Sequence, residues 1–180
     1  MTEKGPDRLA QLPEPSFGPG VEAQHGGPTS GGRRKTSRPL EPTLPLYLVL
    51  RSSRARGNWS LRRPTTEARV DELLRTLARR HSIKVHEFVN AGHQVHMLLS
   101  AKSREGFQAF LRAFAGLTAR LVTGAKKGKP AGKFWDGLTY SRVLQWGDEF
   151  DTFRQLLAKG NLAALEPRIQ PRKRTRSSSA

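Results

Sequence analysis

A chain of 180 residues carrying 32 Lys and Arg against 15 Asp and Glu, a formal net charge of +17, has the length of one ordinary domain with tails, and its charge calls for a polyanionic partner. The absence of cysteine excludes disulfides and thiolate-held zinc, so a metal ion would have to be held by histidine, carboxylate or amide oxygen. No apolar run approaches the roughly 20 residues that span a bilayer and the N-terminus lacks the apolar stretch of a signal peptide, which gives the expectation of a soluble, cytoplasmic protein with no membrane partner.

Residues 1–40 are rich in Gly, Pro, Ser and charge and offer no periodic apolar face. They are expected to form a disordered basic tail, ending in Arg33, Arg34, Lys35 and Arg38, and trimming residues 1–38 is expected to leave the fold intact. A second basic tail is expected at 167–180, leaving a domain over 41–166. That domain opens on LPLYLVLRSS, residues 44–53, which reads as a buried strand. An arginine-rich loop follows, with Arg51, Arg54, Arg56, Arg62 and Arg63 around Trp59. Guanidinium groups grip phosphates and an indole offers a stacking face, although packing of Trp59 over the sheet edge explains it equally well. Pro64, Thr65, Thr66 and Glu67 have helix-start chemistry, and Val70, Leu73, Leu74 and Leu77 share one face of a helix ending near His81.

Two alternating apolar runs then meet a tight turn at Asn90, Ala91 and Gly92, the pattern of an antiparallel hairpin: Ile83, Val85, Phe88 and Val89 before it, Val95, Met97 and Leu99 after it. If Val95, Met97 and Leu99 are buried, Gln94 and His96 point outward together, at a spacing able to hold one cation. Phe107, Phe110, Leu111, Phe114, Leu117 and Leu121 predict a second amphipathic helix. Lys126, Lys127, Lys129 and Lys133 among glycines and a proline read as a flexible basic loop and a second phosphate-contacting element. A turn and strand over 134–146 and a last helix from Asp148, with Phe150, Phe153 and Leu157 on one face, complete the order. Strand, helix, strand, strand, helix, strand, helix is the order of an α+β, ferredoxin-like antiparallel sheet with helices packed on one face.

In this register LPLYLVLR, the arginine-rich loop, IKVHEFVNAGHQVHMLLSA, the Phe-rich helix and FWDGLTYSRVL together resemble the single-tyrosine HUH transposases, the insertion-sequence-200-like family and its REP-associated branch, over about residues 43–165. The resemblance implies a ferredoxin-like fold and single-stranded or hairpin DNA as partner, with nucleoid association when DNA is bound and room for a homodimer. It also implies a divalent ion, Mg²⁺ or Mn²⁺, held by two strand histidines and a further polar group, and a late-helix tyrosine that attacks the polarised phosphate. This chain departs from that pattern twice. The first histidine position holds Gln94, with His96 kept, and the nucleophile position falls on Leu157; the only tyrosines are Tyr47 and Tyr140. The resemblance therefore implies a transposase-like DNA-binding protein whose cleavage chemistry has decayed. Two alternatives stay open: an active transposase using Tyr140, and an RNA- or ribosome-associated basic protein that uses the same sheet as a platform.

Overall fold

The computed structural model of the chain describes residues 24–27 and 38–165. Its centre is strand β2, Leu46–Arg51, following a short N-terminal strand β1, Gln24–Gly27. Helix α1 spans Pro64–Arg80, β3 Ile83–Asn90, β4 Gln94–Ala101, α2 Arg104–Thr123, β5 Leu138–Val143 and α3 Asp148–Ala158. The strands form one sheet in the order β1-β5-β2-β4-β3, every neighbouring pair antiparallel. Without β1, this is the ferredoxin-like arrangement that the element order predicts, in which each helical crossover skips one strand position.

The apolar run of β2 is continuous because both of its faces are covered. Leu46, Leu48 and Leu50 join Val95, Met97 and Leu99 of β4 in a core with Val70, Leu74 and Leu77 of α1 and Phe107, Phe110 and Phe114 of α2. Tyr47 and Val49 point the other way, joining Leu98 and Tyr140 beneath Phe150, Phe153 and Leu157 of α3. Thus α1 and α2 lie together on one face as expected, while α3 closes the opposite face. Complete removal of an aliphatic or aromatic side chain from water stabilises by roughly 1.5–3 kcal/mol, so each face provides its own reason for β2 to sit in the middle.

Local chemistry sets the element ends. Proline occupies the first turn of α1, where its missing N–H costs nothing. Ser103 caps α2 by accepting a hydrogen bond from Gly106 N at 3.1 Å, and Gly124 closes that helix in the left-handed region. Leu117, read from its spacing as part of the apolar face of α2, is instead 39% exposed; the buried stripe runs through Phe114, Thr118 and Val122.

The N-terminal reading differs from the structure at the positions the structure describes. Gln24, His25 and Gly27 pair with Arg142, Ser141 and Leu138 of β5, and Tyr140 Oη donates to Gln24 Oε1 at 3.0 Å. Gly26 sits at the bulge with φ +82°, where an added Cβ would lie 2.2 Å from Thr139 O, so only glycine fits. Arg38 is likewise no free arm: it is buried, bonded to Ser141 Oγ, and its carbonyl accepts from Arg104. An apolar face is what disorder reasoning looks for, and these residues use backbone pairing and polar contacts instead. The remaining tail residues, including Arg33, Arg34, Lys35 and the C-terminal tail, lie outside the described residues.

Candidate nucleic-acid interface

The outward-facing cation pair expected at Gln94 and His96 does not form. The register sets Val49 beside His96 and Arg51 beside Gln94, so both polar side chains share the α3 face, and both are buried. Tyr47 Oη lies 2.7 Å from His96 Nδ1, a hydrogen bond whose donor depends on the imidazole tautomer, and the two rings stack with centroids 6.0 Å apart. His96 Nε2 has no partner among the described residues. Burial first, and the nearby His93 second, lower the His96 pKa from 6.5 to about 4. His86, half-buried, is lowered from its ordinary value by burial and then by Lys84 and Arg154; it bonds Ser100 Oγ at 2.6 Å.

These donors do not fit a divalent ion. One imidazole, with only its Nε2 open, and one carboxamide fall short of three protein ligands, and among the described residues no group of three His, Cys, Asp or Glu is placed to hold a metal. Leu157, 1% exposed, packs in the same cluster as Tyr47 and Tyr140. Tyr140 does face this side, with its ring 6.2 Å from that of Tyr47, but it is buried and its hydroxyl is bonded to Gln24. This face of the sheet is filled with side chains.

A neutral, buried His96 has a measurable consequence. As pH falls below 6.5 the unfolded imidazole takes up a proton that the folded one refuses until about pH 4, so stability drops across that window by roughly 3 kcal/mol and then levels off. Urea midpoints at pH 7 and 4.5 for the unmodified protein and His96→Gln should show a distinctly larger fall in the former. Equal falls in both would place the acid sensitivity elsewhere.

The basic residues fare differently. The segment 51–63 contains no acidic residue, nor does 124–135, and the fold brings the two loops together. Ser52 Oγ donates to Phe134 O at 2.6 Å, and Asp136 N donates to Arg51 O at 2.9 Å. The Asp136 carboxylate accepts from Ser53 N at 2.8 Å and from Ser53 Oγ at 2.8 Å. Arg54 Nη1 reaches across to Ala131 O and Lys133 O at 2.9 and 2.7 Å, while its guanidinium lies 4.7 Å above the Trp59 ring. Trp135 Nε1 donates to Ala115 O of α2 at 2.9 Å, fixing this assembly to the core. Lys126 and Lys129 pair with each other across a tight turn, which gives the lysine loop more definition than its glycines suggest.

The arginine loop is also stitched to the hairpin tip. Leu61 N donates to Gly92 O at 2.9 Å, Asn90 Nδ2 donates to Leu61 O at 2.8 Å, and Gly92 N donates to Asn90 Oδ1 at 3.0 Å. The predicted basic residues therefore divide. Arg51, Arg56, Arg63, Lys126, Lys127 and Lys129 are exposed, whereas Arg54 holds the two loops together. Arg62 lies 4.0 Å from Glu67 in an exposed pair worth little. Trp59, half-buried, packs against the α1–α2 core with Arg54 over its ring.

Asp136, Ser53 and Asn90 are the contributors that sequence reasoning passed over. Asp136 lies in the FWDGLTYSRVL segment, yet nothing along the chain marks it as the partner of Ser53, 83 residues away. Asp136→Ala removes a negative charge from a positive surface, which by charge alone would tighten nucleic-acid binding. The clamp instead implies several-fold weaker binding, measured by titration against a labelled oligonucleotide; tighter binding would show that the loops hold their places without it.

No protein-family model matches this chain, and no curated protein matches it. Similar solved structures include a REP-associated tyrosine transposase bound to a REP hairpin, at 7% identity and TM-score 0.49, covering 74% of this chain and 73% of that one. Another is a candidate transposase from Deinococcus radiodurans R1, at 18% identity and TM-score 0.44, covering 71% of this chain and 97% of that one. Among solved structures, the chain is similar in backbone to these two transposases.

Proposed function

We propose that this protein is a transposase-like binder of single-stranded or hairpin DNA that no longer cleaves it. The observation that carries this reading is the joining of two acid-free basic loops into one fixed surface by Arg54 and Asp136, beside a sheet face closed by α3. Arginine and lysine on such a surface neutralise phosphates and release counterions, and prior fixing of the loops lowers the ordering cost of binding. The burial of both tyrosines supports the non-cleaving part: Tyr47 and Tyr140 are enclosed in one cluster with the apolar, buried Leu157. No described helix is long and apolar enough to cross a membrane, and the net charge of +17 favours a polyanion in any compartment. Activity in the cytoplasm on nucleoid DNA is part of the same proposal.

Titration with hairpin DNA, unstructured single-stranded DNA and structured RNA of equal length, each at two salt concentrations, tests the reading. Preference for either DNA, with affinity falling steeply as salt rises, is the expected result. Preference for structured RNA would move the protein to the RNA-associated class.

A further inference from the structure

Where the arginine loop meets the hairpin tip, a cleft of about 390 Å³ opens, lined by Arg51, Ser53, Arg56, Ser60, Ala91 and His93. Its walls are fixed by the Leu61–Gly92 and Asn90–Leu61 hydrogen bonds on one side. The bonds that the Asp136 carboxylate accepts from Ser53, and that the Asp136 N–H donates to the Arg51 carbonyl, hold the other side. Gly92, with φ +87°, permits the close approach of Ser60 and Arg62, whose atoms an added Cβ would meet at 3.3 and 3.5 Å. The Arg51 and Arg56 guanidinium groups have no hydrogen bond or ion pair among the described residues, so they meet a ligand without first breaking a contact. The carboxylate of Asp136, held against Ser53 of the cleft wall, is already occupied by the donors of Ser53.

We infer that this cleft is a binding site for one nucleotide unit, phosphate and base together, an inference that rests on the nucleic-acid reading above. Two arginine forks suit a phosphate, which they grip with paired, charge-assisted hydrogen bonds. The cleft lies in the size range of small-molecule sites and is larger than a phosphate alone requires. Ala55 and Ala91 supply apolar surface for a base, and the Ser60 hydroxyl and the His93 imidazole supply polar groups for its edge. A strand running over the lysines would in this way seat one of its nucleotides at the hairpin tip, adding recognition of a single unit to a surface that otherwise reads only charge.

The test uses the full chain with dAMP, dCMP, dGMP, TMP and inorganic phosphate as separate probes, followed by chemical-shift perturbation. At least one nucleotide should saturate with resonances of Ser60, Ala91 and His93 moving, and should bind at least about tenfold more tightly than phosphate. Ala91→Phe fills the cleft without altering charge; it should abolish nucleotide binding while strand binding persists, weakened and still salt-dependent, through Arg63 and the lysines. The double variant Arg51→Lys with Arg56→Lys keeps the charge and loses the forks, and should weaken the nucleotide several-fold. Nucleotides that bind no better than phosphate, or binding that survives Ala91→Phe, would overturn the site. Strand binding that persists in that case leaves the DNA reading standing, and a cleft that takes nucleotides in a protein that binds no strand would sink the DNA reading alone.

Discussion

Replacing Arg51, Arg56 and Arg63 together by alanine should flatten the dependence of DNA affinity on salt by ~0.7 log–log units per lost phosphate contact, about two in all, for a single-stranded site. All three side chains are exposed, so the melting temperature should stay close to that of the unmodified protein. Arg54→Ala should behave otherwise. Its guanidinium is committed to Ala131 O, Lys133 O and the Trp59 ring, so its loss frees the lysine loop and lowers affinity chiefly by raising the ordering cost of binding. A triple variant with an unchanged slope would remove the arginine loop from the DNA surface.

Leu157→Ala should cost ~2–5 kcal/mol of stability, the range for emptying a well-packed leucine site. Leu157 belongs to the cluster of Tyr47, Leu98, Tyr140, Leu144, Phe150 and Phe153 that fastens α3 to the sheet. Denaturant unfolding measures this directly. A loss below ~1 kcal/mol would mean that α3 is loosely docked and that the face beneath it is open. Leu157→Tyr should also destabilise, because a larger, polar side chain would enter a site that leaves 1% of the leucine exposed. A tyrosine at 157 is therefore expected to yield no reactive hydroxyl.

Much of the architecture was legible because the apolar pattern alternated where strands formed and recurred at three and four where helices did. The hairpin shows both the reach and the limit of such reading. Ile83, Val85 and Phe88 all join the core under α1 and α2, although Val85 and Phe88 are three apart. A regular strand cannot place them on one face, and a register shift between Val85 and Glu87 resolves the conflict by bulging His86 toward Phe150 and Trp146. The irregular spacing was visible in the sequence, and the bulge was its meaning.

The burial of Gln94 and His96 was harder to foresee. Period-two reasoning separates the faces of β4 correctly, but it cannot say what covers the second face. The cover is α3, and the signal was the neighbouring strand: LYLVL is apolar at every position, which a sheet with one wet face would not need. A single buried histidine is then accommodated by Tyr47, directly opposite a neighbour in the register. The basic surface was legible in its residue types and opaque in its division of labour. Arg54 and Arg56 look alike in sequence, and only the chain's return at 131–136 makes one a strut and leaves the other free.

The most direct measurement of the central claim is a denaturing gel of the unmodified protein after incubation with end-labelled hairpin DNA and Mn²⁺ or Mg²⁺, at a concentration where native binding is saturated. A protein whose sheet face is sealed by Leu157 and its neighbours should give intact DNA and no protein–DNA adduct, at the same level as His96→Ala. A labelled adduct that survives denaturation and maps to Tyr140 or Tyr47 would contradict the account and make this protein an enzyme.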